Sequence, residues 1–351
     1  MGYIKSDGTI QDAVSAAEDG DTVLVLPGTY DKGLCDIDDG QGAVATVQSR
    51  VHVPAKVLLK STDGAEKTVL HPSAGTSCFA CNGTGSVIDG FTVEGLSGAV
   101  NAISVMRSAT VSNVVIRSCN VSAITVWTQN SLTTENLTLH AVTNTANIFQ
   151  ATGDGGDTHR NLVVTDCASS ARLVYATGHG FMIKNGLVLR VKTGSELAWT
   201  QCSGEAVSWR NVTIDDCVVG GSYAFNSNIS SNPNYLRNCV VGRVWTTTAK
   251  TALRAPLHNG EHCFNCCFLA PAKASANEWK NSFDATDPRL KSLGRLKGSS
   301  PCRGQGDPSF WKATDTDIIG NPRLHVDKAG VTTVDMGCYE NDPPGLLLLV
   351  K

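Results

Sequence analysis

Two carboxylates, an imidazole and a guanidinium crowd into one short stretch, Gly153-Asp154-Gly155-Gly156-Asp157-Thr158-His159-Arg160. Those are the side chains of general acid–base chemistry. Cleaving a glycosidic bond needs paired carboxylates, one to protonate the leaving oxygen and one to activate water or attack. The plainer reading of the same residues is a glycine-rich solvated loop, its Asp side chains bonding the turn backbone. The loop admits a calcium ion only if backbone or water oxygens supplement Asp154 and Asp157. No other metal or cofactor is expected.

Other clusters are thinner. Asp215 and Asp216 are adjacent, and neighbouring strand residues face opposite ways, so both enter one cleft only from a turn. Cys78-Phe79-Ala80-Cys81 and Cys263-Phe264-Asn265-Cys266 each hold a C-x-x-C, but the wide separation of the two argues for packing or a local disulfide over zinc. Trp127, Trp199, Trp209 and Trp245 offer ring faces for stacking on sugars, or pack as ring edges against loops.

Composition narrows what these groups can serve. The 351 residues carry 29 Lys and Arg against 32 Asp and Glu, a net charge of -3, and only 17% are charged. A nucleic-acid partner would call for a basic face, so none is expected. Hydrophobic content of 41% suffices for a core. No apolar run approaches the ~18 residues of a membrane helix, so no membrane insertion is expected. Met1-Gly2-Tyr3 leads into polar sequence without the pattern of a signal peptide.

The elements that must position the candidates follow a period. Asn113-Val114-Val115-Ile116, Asn136-Leu137-Thr138-Leu139, Asn161-Leu162-Val163-Val164, Asn185-Gly186-Leu187-Val188 and Asn211-Val212-Thr213-Ile214 begin at intervals of 23, 25, 24 and 26. Leu236 to Val241 continues the series, and Phe264 to Leu269 closes it. A repeat of this length, holding short strands and turns, cannot bury itself and must stack as a solenoid. Cys119, Cys167 and Cys217 each fall six residues after a repeat Asn (113, 161 and 211), with Cys239 in the next similar strand. They form either a column of interior thiols or a disulfide ladder that lacks rungs at the repeats of Asn136 and Asn185. Near the start, Ile10, Ala13, Val14 and Ala17 have helical spacing, with Gly20 as the stop. Thr22 to Leu26, Val51 to Val53, Val57 to Leu59 and Val87 to Val93 read as strands.

Ile10-Gln11-Asp12-Ala13-Val14 through Gly20-Asp21-Thr22-Val23-Leu24-Val25-Leu26-Pro27-Gly28-Thr29-Tyr30 resembles the cap helix and first coil of the right-handed parallel β-helix, or pectate-lyase-like, superfamily. Ser299-Ser300-Pro301-Cys302, Asp317 to Arg323 and Val334 to Glu340 resemble the closing segment of bacterial and phage-encoded β-helix proteins. The fold implied is all-β: a right-handed parallel β-helix solenoid with an N-terminal capping helix and an irregular C-terminal cap. Residues 1–30 form the cap and first coil, 31–270 the coils, and 271–351 a wrapping segment of the same domain. Asp166, Gly178-His179-Gly180 and Arg190-Val191-Lys192 resemble fragments of the polygalacturonase signature. Asp166, however, lacks an Asp partner, and His179 and Arg190 lie on the same half coil.

Two functions fit. One is a structural or binding protein of a virion or the cell exterior: a phage decoration or tail component, or an adhesin that touches glycans. Its partners would be surface glycans and other virion or surface proteins, and an open solenoid end admits a homotrimer. The other is a polysaccharide lyase or glycoside hydrolase, which requires convergence in one groove among Asp154, Asp157, His159, Arg160, His179, Lys184 and Arg190.

Overall fold

A computed structural model describes residues 3–4, 9–37, 47–126, 130–152, 155–178, 180–201, 207–227, 234–246, 249–253, 262–270, 278–326 and 329–341. One coil shows how the chain is built. Ala109–Ser112 is a strand, Asn113 a turn, Val115–Arg117 a second strand, Ser118 a second turn, and Asn120–Val126 a third strand. The next coil repeats it, pairing Ala109 with Leu132, Val115 with Thr138 and Asn120 with Thr143, all parallel. The first two strands of each coil join one long sheet, here the front sheet. The third strand joins the other, the back sheet. The chain is therefore a parallel β-helix, its coils separated by roughly the 4.8 Å of strand pairing.

The repeat asparagines are the first turn. Asn113, Asn136, Asn161, Asn185, Asn211, Asn238, Asn265 and Asn281 all have φ between 48° and 71°. That left-handed conformation is costly for most residues and tolerated by Asn. Stacked coils then place the side-chain amides one above another. Asn136 Nδ2 donates to Asn113 Oδ1 at 2.8 Å, Asn161 to Asn136 at 2.9 Å, and Asn185 to Asn161 at 2.6 Å. Gly90 (φ 87°) holds the same place at the head of the ladder. It divides the stretch expected as one strand, Val87 to Val93, into Ser86–Asp89 and Thr92–Glu94.

The interior is filled by the inward half of each strand, from Ile10 to Phe268. The cysteine column is part of it. Pairing of Asn120 with Thr143, Thr143 with Ala168, Ala168 with Lys192, Lys192 with Val218 and Cys217 with Val244 stacks Cys119, Val142, Cys167, Val191, Cys217 and Val244. Thiol and isopropyl groups alternate, so the thiols lie two coils apart, roughly 9.6 Å. A disulfide spans a Cα separation below about 7 Å, so this column cannot be a disulfide ladder. Cys239 stands elsewhere, directly after its Asn, above Cys266. All twelve described cysteines are free thiols.

The single α-helix among the described residues, Ile10–Ser15, covers the first coils with Ile10 and Val14 buried. Thr9 caps it by accepting from the Asp12 amide at 3.1 Å. It stops five residues before Gly20: the amides of Ala16 and Ala17 already bond three residues back, to Ala13 and Val14. No described helix is long and apolar enough to cross a membrane.

The segment from Asp287 to Asn341 runs back over the front sheet and reads the ladder. The Asp307 amide donates to Asn238 Oδ1 at 2.7 Å, and Trp311 Nε1 to Asn211 Oδ1 at 2.9 Å. Asn211 Nδ2 donates to the carbonyls of Asp335 and Gly337. Asn185 Oδ1 accepts from Arg323, whose guanidinium also meets Glu340 at 2.5 Å with both side chains fully buried. Asp317 to Arg323 and Val334 to Glu340 therefore supply part of the docking surface, through Arg323, Asp335 and Gly337.

Candidate glycan-contact face

Strand alternation decides which candidates reach solvent. Gly156 to Arg160 runs as strand up to the turn at Asn161, so the expected loop becomes extended chain from Gly156 onward. Asp157 and His159 point inward. Asp157 is 3% exposed and accepts from the Leu132 amide at 2.9 Å. His159 is fully buried, bonded to Thr134 Oγ1 at 2.9 Å and packed on Phe149 and Phe181. A polysaccharide cannot reach either, which removes both from the catalytic set. Asp154 and His179 lie outside the described residues.

Arg160 and Lys184 do converge, because they pair across adjacent coils on the outer side of the front sheet. Glu135 pairs with Arg160 on the other side. Glu135, Arg160, Lys184, Trp311 and Asp315 line one cleft. Lys184 Nζ sits 3.1 Å from Asp315 and 4.2 Å from the Trp311 ring centre. The two carboxyls of the cleft are driven apart. Burial raises the pKa of Glu135, against the pull of Arg160 and of Asn161 Nδ2 at 2.6 Å. Burial also pushes Asp315 upward, but the Lys312 amide and the Lys184 ammonium outweigh it and hold Asp315 below the usual range.

Glu135, Arg160 and Lys184 belong to a regularity of the sequence that their clustering in the chain does not announce. Each occupies the position just before a ladder asparagine: Glu135, Arg160, Lys184, Arg210, Arg237, Phe264 and Lys280 precede Asn136, Asn161, Asn185, Asn211, Asn238, Asn265 and Asn281. Cross-coil pairing runs unbroken through all seven. The result is one outward column, with one side chain per coil. The signal was available in the dipeptides themselves.

The C-terminal segment covers the middle of this column. Phe310 lies under the guanidinium groups of Arg210 and Arg237 at 5.3 and 5.6 Å. Beyond it, the last coils carry a patch of rings and charges. Tyr235 and Phe264 are parallel with centres 6.5 Å apart, and Arg237 lies over both. Lys280 reaches over Phe264 at 5.5 Å. Glu278 is held below its ordinary pKa by Lys280 and then by His262, each at 2.6 Å.

The tryptophans do not make one stripe. Trp127 lies outside the described residues. Trp209 is 1% exposed and packs inside against Phe225. Trp199 is on the outer side of the back sheet, stacked on Tyr175 at 5.1 Å with the Arg172 guanidinium over its ring at 5.5 Å. Trp245 stands in a separate column beside Val218. Arg190 grips Asp166 with two bonds of 2.6 and 2.7 Å at the second turn, away from the Arg160 cleft. At that turn Asp215 is buried and bonded by Arg243, and Asp216 occupies a left-handed turn; both line one cleft with Arg190, Arg243 and Arg289. Among the described residues no group of three His, Cys, Asp or Glu is placed to hold a metal ion.

Stacked parallel coils, a helix over the first of them and an irregular segment laid back along the front sheet define a pectate-lyase-like parallel β-helix. Among solved structures the chain resembles one titled as the crystal structure of pectate lyase Pel9A. The TM-score is 0.50, at 12% identity, over 94% of this chain and 90% of that one. No protein-family model and no curated protein matches the sequence. At such identity the likeness speaks for the fold.

Proposed function

We propose that the protein is a glycan-contacting β-helix of the cell exterior or of a virion surface, and that it engages acidic polysaccharide along the outer column. The observation that carries this is the column itself. It carries cations on four successive coils, Arg160, Lys184, Arg210 and Arg237, and beyond the stretch that the C-terminal segment covers it ends in the Tyr235, Phe264, Arg237 and Lys280 patch. Guanidinium and ammonium groups pair with uronate carboxylates, and ring faces suit the apolar side of a pyranose. Titration with polygalacturonate, alginate and a neutral glycan tests it. Binding should favour the acidic polymers, weaken with salt, and fall at least tenfold in Arg237→Ala. Equal affinity for the neutral glycan, or an unchanged Arg237→Ala, would sink the reading.

A second reading, polysaccharide cleavage, has one observation in its favour. Glu135 and Asp315 share a cleft with their protonation driven in opposite directions, as an acid and its ionised partner require. An assay of reducing ends and of unsaturated products on the same polymers, with Glu135→Gln as the control, tests it. Product formation that persists in Glu135→Gln would exclude this cleft.

A further inference from the structure

We propose that Cys267 and Cys302 form a disulfide that fastens the C-terminal segment to the last coils once the protein meets an oxidising thiol–disulfide buffer. The two thiols come from separate elements. Cys267 opens the strand Cys267–Phe268 of the penultimate described coil, and Cys302 lies in the returning segment. Both are fully buried in a small cluster with Val240, Leu296 and Met336, apart from the main interior. Within that cluster the Cys302 side chain packs with that of Cys267, whose thiol donates to the Thr286 carbonyl at 3.5 Å.

Both backbones are held in place. The Cys267 amide donates to the Cys239 carbonyl at 2.9 Å. The Cys302 amide donates to Ser300 Oγ at 3.1 Å, and the Cys302 carbonyl accepts from Met336 at 3.0 Å. Little further ordering is therefore needed to bring the sulfurs together, unlike the alternating column of Cys119, Cys167 and Cys217.

The contact also assigns roles. Interaction with Cys267 lowers the Cys302 pKa, while interaction with Cys302 and burial raise that of Cys267. Cys302 is then the first nucleophile. Its thiolate attacks glutathione disulfide, forming a mixed disulfide and releasing one glutathione thiolate. Cys267 gives up its proton and attacks the Cys302 sulfur, releasing the second glutathione. Two protein thiols and one glutathione disulfide become one protein disulfide and two glutathiones. Both sulfurs are buried, so the step waits on transient lifting of the segment around Ser300.

The test uses the full chain, incubated with glutathione disulfide a few degrees below its melting point and then alkylated after denaturation. The reduced protein should take up thirteen labels, one per cysteine. The oxidised protein should take up two fewer, and non-reducing peptide mapping should join the peptide of Cys267 to that of Cys302. Because Cys266 shares that peptide, Cys266→Ser should keep the link, whereas Cys267→Ser and Cys302→Ser should each abolish it. The oxidised protein should melt at a higher temperature than the reduced one, and Cys302→Ser should lose that gain. Thirteen labels after oxidation, or a link that survives in Cys302→Ser, would overturn the proposal.

Discussion

The asparagine ladder exists in two states within one molecule. From Asn113 to Asn161 the amides bond one another and the neighbouring carboxylates Asp89 and Glu135. From Asn185 to Asn265 they also bond the returning segment: Arg323 and Thr316 at Asn185, Trp311, Asp335 and Gly337 at Asn211, Asp307 at Asn238 and Gln305 at Asn265. The backbone is the same left-handed turn throughout. The difference lies in what covers it. An exposed amide exchanges partners with water, whereas a covered one must have every bond supplied by protein. The comparison teaches that a device for turning the chain also serves as a row of docking points.

The sharpest way to break this comparison is at the buried ion pair of the covered half. Arg323→Ala leaves Glu340 buried without its guanidinium and takes a partner from Asn185. It should cost about 3–5 kcal/mol, read as a lowered urea midpoint. A loss below 1 kcal/mol would mean that the segment is not fastened there.

Next comes a matched pair of rungs. Asn211→Ala removes the acceptor of Trp311 Nε1 and the donor to two carbonyls, and should cost about 3 kcal/mol. Asn136→Ala, on the uncovered half, should cost about 1 kcal/mol from its ladder bonds. Both variants bear the same left-handed strain, so the gap between their urea midpoints isolates docking. Equal losses would remove the distinction.

A smaller effect is set by pH. Asp315 ionises below its ordinary 3.8 in the folded protein. Its pair with Lys184 therefore contributes above that value and is lost as pH falls through the lower, folded one. With both groups only partly exposed, about 1 kcal/mol is at stake. Trp311 fluorescence followed from pH 5 to pH 2.5 should report loosening, and Asp315→Asn should remove that component of the change. The smallest effect should come from the interior column. Cys119→Val places a second Val above Val142 and should leave the melting temperature nearly unchanged, since near volume-conserving swaps cost little. A large loss would show a role for the thiol beyond packing.

The period, the stacking and the capping helix were legible from the Asn-led strands and from the spacing of Ile10, Val14 and Ala17. The site was not, and for a physical reason. Asp157, His159 and Arg160 look like a cluster because they are close in sequence, but a strand sends alternate side chains to opposite faces. Their chemistry divides between the core and the outer column. Glu135, Arg160, Lys184, Arg210 and Arg237 are far apart in sequence and fall into one column only when the coils stack. Asp315 arrives from a segment without periodicity, so nothing local announces its place beside Lys184. The missing Cys at two rungs, which left a ladder open, is resolved by Val142 and Val191 filling the same column.

The residue before each asparagine has a further consequence, for inheritance rather than for folding. The asparagine fixes the turn and the inward residues fix the packing, so the preceding position can change its letter without disturbing either. Acid, base and ring all occur there, in Glu135, Arg160 and Phe264. The column is a line of text that descent can edit one coil at a time, and a duplicated or lost coil would add or remove one character while leaving the others in order.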